Sequence, residues 1–296
     1  FISYLCKVMT YEELWHRLTP VYDAGEAKAI VRYVLDVAFG MSATDVYCGK
    51  VTQLAADECN RLEEIMLRLA AAEPVQYVLG QADFCGRTFR VAPGVLIPRP
   101  ETEELCAWIT EEAATRERRG EGGGKASTAI LDIGTGSGCI GVTLALDISG
   151  ASVTAWDISE ETLTIARRNA AELRAGVTME RQDALRPPQD GRRWDIIVSN
   201  PPYVCRRESA AMERNVLEHE PHTALFVPDD DPLLFYRTIA GYARGTLREG
   251  GRLFLEINPL YAGDMRVMLR DAGFASVETR RDCYGKERMM KAGLLA

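Results

Sequence analysis

The chain is 296 residues long with 47% hydrophobic and 26% charged residues, the balance of a soluble globular protein built as one large domain or as a domain with a smaller companion. Its formal net charge of -8 argues against a high-affinity grip on bare nucleic acid through phosphates, so no direct nucleic-acid partner is expected. Eight cysteines without a C-x-x-C pair read as reduced thiols of a cytoplasmic protein and give metal binding no support, and no apolar run is long enough to span a bilayer.

Residues 1–8 are too short for a signal peptide, and Met9 followed by Thr10 reads as the natural start. From Thr10 to about Ala72 the pattern is helical. Thr10 and Glu13 have the spacing of a capping box, and Leu14 with Leu18 continues at helical distance. Ala29, Ile30, Tyr33, Val34 and Val37 mark a second amphipathic face that breaks at Gly40, and Leu54, Leu62, Ile65, Met66 and Leu69 mark a third. The expectation is a small helical bundle over residues 9–73, either a stabilising appendage or a docking surface for a macromolecular substrate.

Between Pro74 and Pro100 the period changes to two. Val75, Tyr77 and Leu79, then Phe84, Phe89 and Val91, alternate with polar residues around Gly80 and Gly86 as in a β-hairpin, which would connect the domains over 74–100. Val95 to Glu103 leads into a helix carrying Leu105, Trp108 and Ile109, and the charged, glycine-rich residues 116–128 read as an exposed mobile loop.

Ala129 to Ile133 is a buried-strand run, and Gly134-Thr135-Gly136-Ser137-Gly138 follows at once, ahead of a helix from Cys139 to Leu146. Glycines at such a junction permit a tight turn and let a cofactor lie against backbone N–H groups at a helix start. Asp157 ends the next apolar run, Ala151 to Trp156, where a carboxylate can accept bonds from ribose hydroxyls. To that point nicotinamide and S-adenosylmethionine compete. Asp132, just before the loop, suits an ammonium group better than a pyrophosphate, and the loop lacks the third glycine position of the dinucleotide fingerprint. A further strand, Val177 to Glu180, leads to Asp183-Ala184, where methyltransferases place an acid at the adenine.

The β-branched run Ile196-Ile197-Val198 opens into Asn200-Pro201-Pro202-Tyr203, a rigid turn at the end of a strand because proline cannot extend the ladder. The Asn200 side-chain carbonyl and the Pro201 carbonyl can take the two hydrogens of a planar NH2 group while Tyr203 stacks on its plane, which describes a socket for an amide or an exocyclic amine. His219 and His222 could share a helical face as metal ligands, but with no third ligand a solvated or packing role is expected. A helix from Leu233 to Leu247, a turn at Gly250-Gly251, a buried strand from Arg252 to Ile257, a helix from Tyr261 to Ala272 and a final hairpin, Ala275 to Arg281 with Glu287 to Ala292, complete the chain. Residues 101–296 thus predict an α/β fold: a Rossmann-like, mostly parallel sheet with an antiparallel edge hairpin.

The whole chain from Met9 resembles the release factor glutamine methyltransferases, the PrmC/HemK family. The resemblance is carried by Leu96-Ile97-Pro98-Arg99-Pro100-Glu101-Thr102-Glu103, Asp132 with Gly134, Gly136 and Gly138, Asn200-Pro201-Pro202-Tyr203, Glu220-Pro221 with Ala224-Leu225, and Phe235-Tyr236-Arg237. It implies methyl transfer from S-adenosylmethionine to the glutamine side chain in the Gly-Gly-Gln motif of bacterial class I release factors, with a monomeric enzyme expected. It also implies that Gly134 to Gly138, Asp157, Asp183, Ala184 and Asn200 line the cofactor, while Asn200, Pro201, Pro202 and Tyr203 hold the glutamine. The sequence departs from the family in two places: Val227 to Pro232 replaces a common Gly-x-Asp-Gly, and Ala184 stands where an aromatic usually follows the acid. Competing readings are an adenine-amino methyltransferase of DNA or RNA, which would use the same socket for a flipped base, a non-catalytic scaffold, and a dehydrogenase, which would leave the tetrapeptide without a role.

Overall fold

The computed structural model describes residues 9–118 and 127–294, so the residues before Met9 and most of the loop expected over 116–128 lie outside the described part. Thr10 forms the expected capping box: its hydroxyl accepts the Glu13 amide at 3.2 Å and the Glu13 carboxylate accepts the Thr10 amide at 2.9 Å. Such a cap contributes about 1 kcal/mol by satisfying donors that the first turn leaves unpaired. Helix α1 (Tyr11–Leu18) is followed by α2 (Ala24–Phe39), which ends at Gly40, and by α3 (Ala43–Tyr47), α4 (Ala56–Ala70) and α5 (Val75–Leu79).

The chain divides into two compact units, the first taking in residues up to Gln81 together with Glu213–His219. Its core is Leu14 and Leu18 of α1, Ala27, Val31, Val34 and Leu35 of α2, and Leu62, Ile65, Met66 and Leu69 of α4. Of the face predicted for α2 only Val34 is fully buried. The buried stripe runs through Ala27, Val31, Val34 and Leu35, rotated from the predicted one, and leaves Ala29 exposed and Ile30, Tyr33 and Val37 half-buried. The strand expected at Val75, Tyr77 and Leu79 is instead the one-turn helix α5, which begins after Pro74 and stops at a left-handed Gly80. Hairpin strands begin only at Gln81, with β1 (Gln81–Phe84) and β2 (Arg87–Arg90) joined at Cys85-Gly86.

The second unit, Ala82–Met212 with Glu220–Ala296, carries the sheet. In chain order come α6 (Pro100–Arg118), β3 (Thr128–Ile133), α7 (Cys139–Asp147), β4 (Ala151–Asp157), α8 (Glu160–Glu172), β5 (Val177–Arg181), β6 (Trp194–Ser199), β7 (Val204–Cys205), α9 (Arg214–His219, counted with the first unit), α10 (His222–Leu225), β8 (Phe226–Val227), α11 (Leu234–Thr246), β9 (Leu247–Glu256), α12 (Ala262–Asp271), β10 (Ser276–Arg281) and β11 (Glu287–Gly293). The sheet order is β10-β11-β9-β6-β3-β4-β5, parallel from β9 to β5 with β11 and β10 antiparallel at one edge, as the sequence predicts. The glycine pair Gly250-Gly251 makes no turn between elements: β9 runs through it, with a bulge against Asp195 between the pairs Trp194 with Leu247 and Ile196 with Arg252.

Successive strand residues face opposite sides. Leu131, Ile133, Ile197, Leu253 and Leu255 pack with α11 and α12, whereas Ile130, Ile196, Val198 and Phe254 pack with Trp108 of α6, Ile140 of α7 and the hairpin residues Phe84 and Phe89. Each fully buried aliphatic side chain contributes roughly 1.5–3 kcal/mol, so the sheet is held by apolar packing on both of its faces. The chain leaves β3 toward β4 and β5, then crosses back to place β6 on the other side of β3, and that reversal opens a crevice at the carboxyl ends of β3 and β6.

Candidate active site

Strand register aligns the candidate residues along one rim. Ile133 lies opposite Ser199 on β6 and Trp156 on β4, and Ser199 lies opposite Leu255 on β9. The next residue of each strand, Gly134, Asn200, Asp157 and Glu256, therefore stands in one row at the carboxyl edge. Asp183 lies beyond the end of β5, two residues after Arg181, the partner of Asp157.

The glycine loop is braced from β4: the amides of Gly134 and Thr135 both donate to the Trp156 carbonyl, at 2.9 and 2.8 Å. Gly136 and Gly138 have φ of 56° and 83°, backbone that a side chain would strain. Asn169 of α8, fully buried, secures the far side by donating to the Ser137 carbonyl at 2.8 Å and to the Arg90 carbonyl at 3.0 Å, while accepting the Arg90 amide at 2.7 Å. Asp157 accepts the Gly136 amide on one oxygen and the Ser159 amide on the other, both at 3.0 Å, and burial raises its carboxyl above the usual carboxylate range against those bonds.

Asp132, wholly buried, accepts the Thr135 hydroxyl at 2.6 Å and the Gly141 amide at 3.0 Å on the same oxygen, and its other oxygen has no partner among the described residues. Burial pushes this carboxyl up to about 7, opposed by the two bonds. A buried acceptor without a donor and a loop with nothing within 4 Å of where Cβ atoms on Gly134 and Gly136 would stand fit a ligand that brings an ammonium group and a flat body to this loop. Asp183 uses one oxygen on the Leu185 amide at 2.8 Å, and Ala184 packs against the core cluster that holds Trp156 and Ile133.

At the tetrapeptide, Ser199 anchors the strand end by donating to the Ile133 carbonyl at 2.7 Å. The Asn200 side chain donates through Nδ2 to the Thr102 hydroxyl at 3.2 Å, and its Oδ1 accepts no hydrogen bond among the described residues. Thr102 donates in turn to Glu256 at 2.6 Å, and the Tyr203 hydroxyl donates to the other oxygen of Glu256 at 3.0 Å. Glu256 is buried, and burial raises its carboxyl while the two hydroxyls and Arg288 pull it down. Asn258 donates to the Tyr203 carbonyl at 3.1 Å and to Glu208, which fixes the turn from below. The predicted turn residues thus come together with the loop across the β3–β6 crevice.

Thr102, Glu256, Asn258 and Asn169 have no singled-out role in the sequence reading. Thr102 stands inside a run carrying the family resemblance, yet its partners lie 98 and 154 positions away. Ile158, directly after Asp157, is a large apolar side chain left 57% exposed, a feature the sequence reading does not single out. His219 closes α9 and His222 opens α10, so they share no single helix.

Among solved structures the chain is similar to the METTL16 methyltransferase domain, with a TM-score of 0.53 and 16% identity over 76% of this chain and 96% of that one. It is similar also to the 16S rRNA N2 G1207 methyltransferase of T. thermophilus, with a TM-score of 0.50 and 22% identity over 73% of this chain and 50% of that one. The fold is thus that of the class I S-adenosylmethionine-dependent methyltransferases. The methyltransferase small domain family matches residues 123–222 and the PrmC N-terminal domain family matches residues 16–80. Release factor glutamine methyltransferases of Bacteroides thetaiotaomicron and Flavobacterium psychrophilum are 48% and 37% identical, covering 93% of this chain in each case and 95% and 94% of theirs. That of Streptococcus pneumoniae is 38% identical over 90% of this chain and 91% of its own. The chain belongs to the release factor glutamine methyltransferase family and is an enzyme whose methyl donor is S-adenosylmethionine.

Proposed function

We propose that this enzyme methylates the side-chain amide nitrogen of the glutamine in the Gly-Gly-Gln motif of bacterial class I release factors. The observation that supports the reading is that the Asn200 amide is held by its NH2 end, through the Thr102 hydroxyl, while its Oδ1 accepts no hydrogen bond among the described residues. S-adenosylmethionine supplies a methyl group on a positively charged sulfur. Asn200 Oδ1 and the Pro201 carbonyl take the two hydrogens of the glutamine amide, so that its nitrogen is turned and partly freed from conjugation as charge grows on it. Pro202 stiffens the turn, and Tyr203, its hydroxyl tied to Glu256, offers its ring to the flat amide. No strong base is needed before attack: as the carbon–nitrogen bond forms the carbon–sulfur bond breaks, its electron pair stays on sulfur in the departing neutral thioether S-adenosylhomocysteine, and the surplus proton then leaves the nitrogen for solvent.

The backbone of Gly134 to Gly138 and the unpartnered oxygen of Asp132 receive the methionine part of the donor, Asp157 the ribose hydroxyls, and Asp183 and Ile158 the adenine, with Ala184 supplying packing behind it. Residues 9–73 serve as the docking domain, supported by their own core, 74–100 as the connector and 101–296 as the catalytic domain. No helix of the described residues is long and apolar enough to cross a membrane, and a cytoplasmic monomer suits a release factor substrate.

Incubation with methyl-labelled S-adenosylmethionine, a purified release factor and, separately, nucleic acid tests the reading. Label is expected in the glutamine of the release factor alone, and label in nucleic acid alone would overturn it. Asn200→Ala should lower kcat about 100-fold while the donor Kd stays within about threefold, because the lost acceptor acts mainly as charge develops.

A further inference from the structure

An asparagine amide can sit in its site two ways that differ little in shape, with oxygen and NH2 exchanged. For a substrate that is itself an NH2 donor only one is productive. Thr102 decides between them. Its Oγ lies within hydrogen-bond distance of Asn200 Nδ2, at 3.2 Å, and of Glu256 Oε2, at 2.6 Å, and it has one proton to give. An ionised carboxylate only accepts, so that proton goes to Glu256 and the hydroxyl turns a lone pair toward Asn200. Only the NH2 end of the amide answers a lone pair, and Oδ1 is left facing the substrate side. The same carboxylate takes the Tyr203 hydroxyl on its other oxygen, so one buried group sets both polar side chains of the turn. Arg288, paired with Asp282, is the cation that favours the ionised form of Glu256 against burial, and Glu101 opposes it.

We propose that Thr102 and Glu256 are positioning residues that fix the polarity of the Asn200 socket, and that through it the enzyme selects a carboxamide over the isosteric carboxylate. This rests on the glutamine reading above. A socket offering two acceptors repels a glutamate side chain, whereas a socket whose asparagine is free to turn offers NH2 to that carboxylate and loses the discrimination.

The test uses the full chain and three variables. Methylation kinetics are measured on a release factor, the donor Kd by calorimetry, and inhibition by the same release factor with its Gly-Gly-Gln glutamine replaced by glutamate. Thr102→Val, which keeps shape and removes the hydroxyl, is expected to lower kcat on the order of 100-fold with the donor Kd within about twofold. Its inhibition by the glutamate form should strengthen at least about tenfold relative to binding of the glutamine form. Thr102→Ser should restore both to near the wild-type values. A Val variant that keeps kcat, or that loses kcat with its glutamine-to-glutamate preference unchanged, overturns the inference alone, as does a Ser variant no better than Val. A wild-type enzyme that leaves the release factor unmethylated overturns the substrate reading and this inference with it.

Discussion

Asp132 has the environment most at odds with its chemistry, a carboxylate wholly buried with one oxygen unpartnered among the described residues. Its pKa is raised to about 7 from an ordinary value of about 3.9, so the folded state holds a proton that the unfolded chain releases. The stability linked to this group is present below about pH 4 and is lost as pH rises through about 7, with an upper bound of roughly 4 kcal/mol. On the proposed placement of the donor's ammonium group at Asp132, donor binding runs the other way, because an ammonium group pairs only with the ionised form. The donor Kd should tighten about tenfold from pH 6 to pH 8, and Asp132→Asn should flatten that dependence, both measurable by calorimetry. The sequence shows the acid before the loop and the tetrapeptide after the strand because each signal is local. It cannot show that Asn200, Thr102 and Glu256 form one chain of hydrogen bonds, since only folding brings residues 102, 200 and 256 together.

Elements were legible where their period is long and their ends punctuated. Strands β3, β4 and β6 and helix α4 fall where apolar spacing puts them, except that Leu54, expected on the helix, precedes its start at Ala56. Val75 to Leu79 misleads because five residues are too few to separate a period of two from one helical turn, and the flanking Pro74 and Gly80 carry the decisive information. In β9 the pair Gly250-Gly251 reads as a turn but is accommodated as a bulge. The junction between β3 and α7 depends on its glycines for space as well as conformation. A Cβ on Gly138 would stand 3.2 Å from the Ala166 side chain with φ at 83°. Gly138→Ala is therefore expected to cost about 1–2 kcal/mol and to weaken donor binding, because the loop must shift away from α8. A thermal melt and a binding titration check it, and an unchanged Kd would show that the loop tolerates the shift.

At the scale of the molecule, each unit has its own core. Leu62, 1% exposed, belongs to the helical core and to neither cluster of the sheet unit. Leu62→Ala should lower the stability of the helical unit by about 2–5 kcal/mol while leaving the donor Kd within about twofold. Unfolding followed by site-specific hydrogen exchange would assign the loss, and a matching loss of protection in β3 and β6 would contradict it.

The assignment of Glu213–His219 to the first unit has a practical consequence for dissecting the enzyme. A shortened protein beginning at Ala82 would retain that segment while losing every other residue it is grouped with. A clean catalytic fragment therefore has to be trimmed twice, at its front end and again between Met212 and Glu220, with a short bridge in place of the excised helix.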